Sequence, residues 1–463
     1  MTANSSDEII NQRLGKYGRF GVHLGLERIQ KLLDTLGNPH DKVPIIHVAG
    51  TNGKGSVCAY LSSVLTQAGY RVGRYTSPHL VSWCERIGIN NTPITPADLL
   101  RTIEQVETAI AQGWPHIANV HEDESDIPTQ FEVFTAAAWI YFAQQSVDIA
   151  VIEVGLGGRL DATNIVAQPL VTAITSLSRE HWQRLGPTLA DIAREKAGIL
   201  KANRPAVVGP LPPEAEQVVL SRAASLDCPV IRPLPAQPNE EGYAVYTSDR
   251  TQFRYALPFP GAHQLTNSAI AIAALQCLRD QGWSITDAAI QEGIAMAQWP
   301  GRLQWLTWRS PNNQPSPWLI DGAHNPAAAK VLRAYVDSLY QPQIPPLAKR
   351  TLSKQGIVTP LKGSVTWLMG MLTTKDHADV FQELLRPGDR LHLVPVPGHS
   401  SMPPDALANI ALTVCPELAI CQTYGDLAEG LQGAIAAPSE LKILCGSLYL
   451  VGHFFQTQET NIL

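Results

Sequence analysis

Short apolar runs alternate with amphipathic or alanine-rich stretches along the first half of the chain. The apolar runs have the length and composition of strands, and they lie at Val43–Ala49, Arg71–Tyr75, Asp148–Val154, Val171–Thr175 and Ala206–Val208. The stretches between them predict helices, among them Ala97–Ala111, Phe131–Gln144 and Leu189–Ile199. Strands that alternate with helices in this way predict an α/β fold, with a mostly parallel sheet and helices on both faces.

The pattern changes further along the chain. Residues 232–260 contain prolines and short polar alternations, which predict a small antiparallel sheet. A second α/β rhythm begins near Trp318 and passes through apolar runs at Val365–Gly370, Arg390–Val396 and Lys442–Cys445. Residues 341–360 resemble a loose loop, and the polar residues 310–317 are typical of a linker. A chain of 463 residues exceeds the size of one ordinary core, so we predict a larger domain at 1–309 and a smaller Rossmann-like α/β domain at 318–463.

A glycine-rich segment joins the first predicted strand to a predicted helix, Val57–Gln67. It comprises Gly50, Thr51, Asn52, Gly53, Lys54, Gly55 and Ser56. Such a loop closes backbone N–H groups around a phosphate, while the helix terminus, the lysine and the hydroxyl add charge and donors. The spacing departs from the standard P-loop because Gly55 separates Lys54 from Ser56, and position 48 is valine. The segment is therefore either a variant phosphate loop, which makes this an ATPase-type domain, or an ordinary glycine turn.

Composition narrows the class of protein. The net charge is −6 with no basic block, which argues against nucleic acid as a partner. No apolar run is long enough to span a membrane, and the N-terminus lacks the pattern of a signal peptide. Seven cysteines without a Cys-x-x-Cys pair indicate reduced thiols and a cytoplasmic location.

Polar residues follow two further predicted strands, at the edge where open parallel sheets bind ligands. Ser77 comes after Arg71–Tyr75 and fits either a Mg²⁺ ligand or a simple Ser-Pro turn. Glu153 lies near the end of the strand Asp148–Val154, where a buried carboxylate needs a cation, so we favour a Mg²⁺ ligand over a surface glutamate. The glycine-rich stretch after it carries one charge of each sign, on Arg159 and Asp161.

Three more segments carry candidate chemistry. His181 follows the strand Val171–Thr175 and fits a metal ligand, although a lone histidine is more often structural. Lys196 lies on a predicted helix, and nothing local distinguishes it from a solvated surface charge. Asp321 and His324 follow a strand and suit a ribose and a phosphate, or else an Asp-Gly turn before an Asn-Pro helix start. Arg302 follows Pro300-Gly301, which is typical of a hinge, and offers a fixed charge for phosphates.

Taken in order, these segments resemble the folylpolyglutamate synthase/dihydrofolate synthase family of Mur-type ATP-dependent amide ligases. The resemblance covers nearly the whole chain. It rests on Leu26–Ile29, Leu36–Pro39, His47–Ser56, Ser77–Leu80, Glu85–Ile87, Phe131-Glu132, Glu153–Asn164, Glu195–Ile199, His263-Gln264, Asn267, Pro300–Arg302 and Asp321–Pro326. One departure is Glu180, where the family usually has aspartate before the histidine.

The resemblance implies a role for each matching position. Thr51 to Ser56, including Lys54, are expected to bind the ATP phosphates, and Asn267 and Arg302 are expected to contact the nucleotide. Asp321 is expected on the ribose and His324 near the phosphates. Mg²⁺ is expected on Ser77, Glu153 and His181, and Lys196 matches a lysine that CO₂ carbamylates. Thr129, Phe131, Arg159 and Asp161 are expected near the pterin substrate.

The reaction implied by the family activates a carboxylate with ATP and joins it to the amine of L-glutamate. The carboxylate belongs to dihydropteroate or to a reduced folate, and we expect one monomeric enzyme to use both. A Mur ligase for UDP-muramyl peptides is a rival, but such relatives carry a domain of roughly 100 residues before the loop, and here 46 residues precede His47. A nucleotide-binding switch without ligase activity is the other alternative.

Overall fold

The computed structural model describes residues 3–18, 23–114, 126–309, 315–353, 359–437, 439 and 441–460. The chain divides into two compact units. The first comprises Met1–Pro235, Ser248–Phe253 and Thr266–Ala297, and the second comprises Ala236–Thr247, Arg254–Leu265 and Gln298–Leu463. No helix within the described ranges is both long and apolar enough to cross a bilayer.

The first unit is built on one eight-stranded sheet. Its strands are β1 (Ile45–Ala49), β2 (Val72–Tyr75), β3 (Ile87–Ile89), β4 (Thr92–Pro93), β5 (Ile149–Glu153), β6 (Val171–Ile174), β7 (Ala206–Val208) and β8 (Val230–Ile231). They lie in the order β4-β3-β2-β5-β1-β6-β7-β8. Strands β2, β5, β1, β6, β7 and β8 are parallel, and β3 and β4 are antiparallel to their neighbours. The predicted α/β fold with a mostly parallel sheet is confirmed.

Helices cover this sheet. Those of the first half are α1 (Ala3–Gly18), α2 (Glu27–Thr35), α3 (Lys54–Gln67), α4 (Pro96–Gly113), α5 (Gln130–Gln144), α6 (Trp182–Leu185), α7 (Leu189–Lys196) and α8 (Pro213–Ser225). They are followed by α9 (His263–Asp280), whose first three residues belong to the second unit, and α10 (Asp287–Met296). Helices α3 and α10 pack closely because α10 has a glycine at their contact: a Cβ on Gly293 would lie 2.5 Å from the Cα of Val64 in α3.

The parallel order places four strand ends at one edge. Strand β1 lies between β5 and β6, with Val48 level with Glu153 on one side and with Ala173 on the other. Strand β2 lies beside β5 in the same direction. The segments that follow β1, β2, β5 and β6 therefore emerge together, and these are the segments that carry the predicted phosphate loop, Ser77, Glu153 and His181.

A small sheet and a second large sheet complete the fold. The small one has the order β11-β10-β9, from β9 (Gln237–Pro238), β10 (Ala244–Thr247) and β11 (Gln252–Tyr255). Because β9 and β10 are antiparallel, the antiparallel sheet predicted for residues 232–260 is confirmed. The large sheet of the second unit consists of β12 (Gln304–Arg309), β13 (Pro315–Ile320), β14 (Val365–Met369), β15 (Arg390–Leu393), β16 (Ile420–Thr423) and β17 (Leu441–Cys445).

The second large sheet has the order β12-β13-β17-β14-β15-β16 and is parallel except for β12. Its helices are α11 (Pro326–Leu339), α12 (Pro346–Ser353), α13 (His377–Leu384), α14 (Pro404–Val414), α15 (Leu427–Ala436) and α16 (Leu448–Thr460). The predicted C-terminal α/β domain is thereby confirmed.

Two local predictions differ from the structure. The segment 341–360 is not a loop throughout, because α12 forms within it and buries Ala348 and Leu352; residues 354–358 lie outside the described residues. The linker predicted at 310–317 falls between two paired strands, since Arg309 of β12 lies opposite Pro315 of β13. Residues 310–314 lie outside the described residues, whereas 315–317 belong to β13. Strand β12 thus shares a sheet with the C-terminal strands that follow it.

Asp389 ties together the core of the second unit. Its buried carboxylate accepts hydrogen bonds from Arg333 Nη1 at 2.8 Å, from the Trp367 indole at 3.0 Å and from two backbone N–H groups. Arg333 is itself largely buried, and it also pairs with the half-exposed Asp337. A buried charge pair costs most when only one partner is removed.

We expect Asp389→Ala to lower the free energy of unfolding by about 3–5 kcal/mol, because Arg333 and the Trp367 indole lose their acceptor. Urea denaturation followed by circular dichroism measures the effect. Asp337→Ala is the matched control, because it removes the exposed partner of the same arginine and should cost about 0.5 kcal/mol. Equal losses for the two variants would contradict the assignment of Asp389 as the anchor.

Candidate active site

The glycine-rich segment after β1 forms a tight loop before α3. Gly50 and Gly53 have positive φ angles of 151° and 87°, which glycine adopts without strain. Helix α3 begins at Lys54, three residues before the predicted start, so Lys54, Gly55 and Ser56 form its first turn. The predicted strand, glycine loop and helix are all present.

Lys54 folds back across this loop. Its Nζ donates to the carbonyls of Gly50 at 3.1 Å and Thr51 at 3.2 Å. The same Nζ lies 4.0 Å from Oε1 of Glu153, whose side chain is 5% exposed. The lysine is therefore held between the loop and a buried carboxylate at the end of β5.

Asn267 of α9 lies against the loop. A Cβ added to Gly53 would be 2.5 Å from Oδ1 of Asn267 and 3.2 Å from its Cγ. Asn267 is buried at 7% exposure. The structure thus brings together two of the residues predicted to bind nucleotide, Gly53 and Asn267.

We expect Gly53→Ala to weaken ADP binding by about 10- to 100-fold, because the new methyl group displaces Asn267 and strains a left-handed backbone. Titration calorimetry with ADP measures the change. Gly69→Ala is the matched control: Gly69 has a similar φ of 93°, and nothing lies within 4 Å of its Cβ position. That control should lose stability while it keeps its ADP affinity. A Gly53→Ala protein with unchanged affinity would refute the predicted close approach.

The predicted metal ligands Ser77 and Glu153 lie together. The backbone N–H of Ser77 donates to Oε2 of Glu153 at 3.4 Å, and Glu153 is 4% exposed. A carboxylate buried to this degree, with the Lys54 ammonium 4.0 Å away, suits a divalent cation as a further partner. Among the described residues, no group of three His, Cys, Asp or Glu side chains forms a ready-made metal cluster.

His181 is positioned by the loop after β6. It has the left-handed backbone angles φ 52° and ψ 28°, and it precedes α6. Its side chain is 48% exposed, and Nε2 lies 4.0 Å from Oε1 of Glu180. Glu180, the departure from the family pattern, therefore faces the ring of the candidate metal histidine and can orient it.

Lys196 is buried at 6% exposure, so the local interpretation of this lysine as a solvated surface charge is wrong. It ends α7, and its Nζ donates to the Gly50 carbonyl at 2.8 Å. Burial, followed by the nearby charge of Lys54, lowers the pKa of Lys196 to about 7. At neutral pH a large share of this side chain is therefore a neutral amine, which is the nucleophilic form.

The glycines after β5 let the following loop pack against the end of α7. A Cβ on Gly158 would lie 2.9 Å from the Glu195 carbonyl, and one on Gly198 would lie 2.3 Å from the Cβ of Arg159. Arg159 also pairs with the Glu195 carboxylate, at 2.8 Å from Nη2 to Oε1. The structure thus places Arg159 beside the helix that carries Lys196.

Asp161 caps a short 3-10 turn in the same loop. Its Oδ1 accepts from the backbone N–H of Thr163 at 3.0 Å and from the Thr163 hydroxyl at 2.6 Å, and Oδ2 accepts from the Leu156 N–H at 2.8 Å. The Thr163 hydroxyl in turn accepts from Nε2 of His47 at 2.8 Å. Burial lowers the pKa of His47 to about 3, so the ring stays neutral. Burial also raises the pKa of Asp161.

Thr129 caps the start of α5, and Phe131 lies in the first turn of that helix, close to this loop. Thr129 and Glu132 form a capping box, in which the Thr129 N–H donates to Glu132 Oε2 at 2.7 Å. Arg28 of α2 donates to the same carboxylate oxygen at 3.1 Å. A Cβ on Gly155 would meet the Phe131 ring at 2.4 Å, so Phe131 lies directly over the segment that follows Glu153.

Arg302, Asp321 and His324 lie together in the second unit. The Asp321 carboxylate accepts from the N–H groups of Leu303 and Ala323, both at 2.8 Å, and burial raises its pKa while Arg302 opposes the rise. His324 donates from Nδ1 to the Gly322 carbonyl at 2.7 Å, which leaves Nε2 as the acceptor in the neutral ring. In the structure, the Asp321 carboxylate therefore stabilises the backbone around it.

Both halves of the chain match known protein families. Residues 48–275 match the family model of the Mur ligase middle domain, and residues 304–457 match that of the dihydrofolate synthetase C-terminal domain. The chain is 34% identical to dihydrofolate synthetase of Saccharomyces cerevisiae, over 95% of this chain and 99% of that protein. It belongs to the dihydrofolate synthase/folylpolyglutamate synthase family.

Other members of the family agree. Dihydrofolate synthase/folylpolyglutamate synthase of Bacillus subtilis is 38% identical over 66% of this chain and 70% of that protein. The structure of Mycobacterium tuberculosis folylpolyglutamate synthase, complexed with ADP and AMPPCP, superimposes with a TM-score of 0.81 at 28% identity, covering 98% of each chain. A bifunctional relative from Yersinia pestis, complexed with AMPPNP and a manganese ion, has a TM-score of 0.74 at 29% identity and covers 95% of this chain and 94% of that one.

Membership of the family makes this chain an ATP-dependent ligase that forms carbon–nitrogen bonds and uses a nucleotide and a divalent metal. Within the first unit, the structure joins the glycine-rich loop to Lys54, Glu153, Ser77 and Lys196. Sequence reasoning missed the hydroxyl residues Thr175 and Ser176, which bond to the loop. A signal for them was present, because Thr175 ends a predicted strand and Ser176 directly follows it, at the edge where ligands bind.

Proposed function

We propose that this ligase joins L-glutamate both to dihydropteroate and to the γ-carboxylate of reduced folates, with ATP converted to ADP and phosphate. The observation that carries the proposal is the convergence of Lys54 and Lys196 on one carbonyl, that of Gly50, at 3.1 and 2.8 Å. Two lysines and the buried Glu153 thus surround a phosphate loop. That arrangement suits a transferred phosphoryl group and its counter-charges.

For nucleotide binding we assign residues within each unit separately, as the family resemblance implies for each position. Thr51, Asn52, Gly53, Gly55 and Ser56 form the phosphate loop with Lys54. Asn267 is held against Gly53, as described above. The second unit supplies Arg302, Asp321 for the ribose and His324 for the phosphates. Asp321 retains lone pairs beyond the two N–H groups it binds, so a ribose hydroxyl can still donate to it.

The residues for Mg²⁺ are Glu153, Ser77 and His181. An anionic oxygen, a hydroxyl and a neutral imidazole form a mixed but workable set for this ion. When bound, Mg²⁺ supplies positive charge to the phosphate oxygens. Lys196 completes the set if CO₂ carbamylates its amine, because the carbamate is an anion where the free lysine is neutral or positive. The pKa of about 7 supports that reaction.

The pterin end of the substrate is assigned to the segment around Phe131. The ring lies over Gly155, Thr129 begins the same helix, and Asp161 and Arg159 form the adjacent loop. The Arg28–Glu132 pair holds the start of α5 in place, and this sets the direction of the Phe131 side chain.

The chemistry proceeds in two displacements. A carboxylate oxygen of the pteroate or folate attacks the γ-phosphorus of ATP, and the bond to ADP breaks, which gives an acyl phosphate. The amine of L-glutamate then attacks the acyl carbon, phosphate leaves, and the amine loses a proton as the amide forms. Lys54 and the loop N–H groups hold the phosphoryl group in line and neutralise its charge.

We further propose that the enzyme is a cytoplasmic monomer. All seven cysteines are unpaired, and six are buried, which suits a reducing compartment. Neither assignment is needed for the chemistry.

The decisive experiment is an ADP-release assay with ATP, L-glutamate and Mg²⁺, run side by side with dihydropteroate and tetrahydrofolate. We expect ADP with both pterins, and a product heavier by one glutamate residue in mass spectrometry. Omission of L-glutamate should stop amide formation. Turnover of UDP-muramyl substrates alone, or no ADP with either pterin, would exclude the proposed function.

A further inference from the structure

The residues that follow β6 hold the phosphate loop from outside it. The hydroxyl of Thr175 donates to the Asn52 carbonyl at 2.7 Å, and the hydroxyl of Ser176 donates to the same oxygen at 3.0 Å. Thr175 is 1% exposed. One carbonyl of the loop is therefore fixed by two neighbouring side chains of a different strand.

Backbone groups of the loop are held by the same segment. The Thr51 N–H donates to the Ser176 carbonyl at 2.7 Å, and the Asn52 N–H donates to the Ser176 hydroxyl oxygen at 3.2 Å. The Thr51 hydroxyl exchanges two hydrogen bonds with the backbone of Ser178, at 3.2 and 3.1 Å. The N–H groups of Thr51 and Asn52 thus point toward the β6 segment, so they have partners other than a phosphate.

Thr51 and Asn52 thus shape the loop through the β6 segment, and the backbone N–H groups best suited to face a phosphate are those of the residues after Asn52. The first i to i−4 hydrogen bond of α3 joins the Val57 N–H to the Gly53 carbonyl. The N–H groups of residues 54–56 precede that bond and lie at the positive end of the helix. The strength with which an anion binds there depends on how the loop orients Gly53 and Lys54.

Thr175 is closely packed against two glycines. A Cβ on Gly50 would lie 2.0 Å from the Thr175 hydroxyl oxygen, and a Cβ on Gly209 would lie 2.2 Å from the Thr175 carbonyl. The threonine is wedged between the start of the phosphate loop and the end of β7. Because Thr175 is so closely packed, its position determines the position of the loop residues that it contacts.

We propose that Thr175 and Ser176 are positioning residues for nucleotide binding, which fix the Asn52 carbonyl and so direct the amides of residues 54–56 at the phosphates. Five residues after Ser176 the same segment reaches His181, so the segment that holds the phosphate loop also carries the candidate metal ligand. This inference rests on the proposed nucleotide site.

The test compares Thr175→Val and Ser176→Ala with the unmodified enzyme. We expect each variant to bind ADP about tenfold more weakly and to raise the KM for ATP to the same extent, as the loss of one well-placed hydrogen bond predicts. The KM for tetrahydrofolate should stay unchanged. Thr175→Ser keeps the hydroxyl and should restore ADP affinity.

Thr172→Val is the matched control. Thr172 lies on β6 just before this segment, is fully buried, and donates to the Pro205 carbonyl at 3.3 Å, away from the loop. A general effect of removing a buried hydroxyl would weaken ADP binding equally in Thr172→Val and Thr175→Val, and that result would overturn the proposal. A parallel rise in the KM for tetrahydrofolate would overturn it as well.

Hydrogen exchange separates this inference from the proposed function. In the nucleotide-free enzyme, the amides of Thr51 and Asn52 should exchange slowly, and Ser176→Ala should speed the exchange at Asn52. This readout needs no ligand. If the unmodified enzyme failed to bind ADP but kept these amides protected, the proposed nucleotide site would be wrong. The inference that Thr175 and Ser176 hold the loop in place would still stand. Fast exchange at both amides in the unmodified enzyme would overturn the inference that Ser176 and its neighbours hold the loop.

Discussion

Lys54→Ala is expected to lower the rate of ADP formation by about 10³-fold, because a charged donor at the transferred phosphoryl group contributes on this scale. The structure gives the reason in three distances. Lys54 Nζ lies 3.1 and 3.2 Å from two carbonyls of the phosphate loop and 4.0 Å from the Glu153 carboxylate. Its charge is thereby held at the mouth of the loop rather than in solvent.

The measurement is the steady-state rate of ADP release with saturating tetrahydrofolate and L-glutamate. The loss of Lys54 also leaves Glu153 without this neighbouring cation, so urea denaturation must accompany the assay. We expect the variant to remain folded at the assay temperature, since the loop is still tied to β6 by hydrogen bonds that do not involve the lysine. Lys330→Ala, which changes an exposed lysine on α11, is the matched control and should keep full activity.

A variant that retained more than about a tenth of the activity would contradict the role, because loss of a phosphoryl-binding cation has a far larger effect. A variant that lost activity only through unfolding would contradict it too. The chemical complement is Lys54→Arg. A guanidinium keeps the charge but not the compact shape that reaches both carbonyls, so we expect partial activity from it.

Much of the fold was predictable because its signals are local. The strands β1, β5 and β6 are apolar on both faces, so they appear as continuous apolar runs, and their predicted bounds differ from the observed ones by at most two residues. Helix α12 was missed for the opposite reason. Its segment begins with two prolines and carries few apolar residues, and only tertiary packing buries Ala348 and Leu352.

The site was predictable in part. Glu153 and Lys54 lie next to strand ends, where a motif and the direction of the sheet together identify them. The burial of Lys196 was not predictable from its helix, because the carbonyl it binds belongs to Gly50, far away in the sequence. The bonds of Thr175 and Ser176 to Asn52 have the same character: short polar residues after a strand give no hint of which carbonyl they will reach.

Lys196→Ala is expected to be nearly inactive, with a loss of about 100-fold or more, as for removal of a group that orients or supplies a metal ligand. If the lysine acts as a carbamate, short-chain carboxylates should partly restore activity by supplying the missing anion. The unmodified enzyme should lose activity when bicarbonate and CO₂ are removed and regain it when they return. An active Lys196→Ala protein that is insensitive to bicarbonate would refute the carbamate.

The pH dependence follows from the lowered pKa. The pKa of Lys196 is about 7 in the folded chain, against an ordinary value of 10.5. Only the neutral amine attacks CO₂, so carbamylation should increase as the pH rises through about 7. Between about 7 and 10.5 the unfolded chain holds a proton that the folded chain lacks, so this group makes stability rise with pH across that window. Lys196→Met removes the titrating amine and should flatten this rise.

A spectroscopic signature separates the carbamate from a merely structural lysine. With carbon-13 bicarbonate, the unmodified enzyme should show a carbamate resonance that strengthens above pH 7 and is missing in Lys196→Met. Lys201→Met is the matched control, since Lys201 is also a lysine of lowered pKa, and it donates to the Asn164 carbonyl at 3.3 Å. That variant should keep both the resonance and the bicarbonate dependence. Lys196 and Lys54 both donate to the Gly50 carbonyl. Carbamylation of Lys196 would make its side chain an anion, so the repulsion between the two lysines would become an attraction beside the phosphate loop.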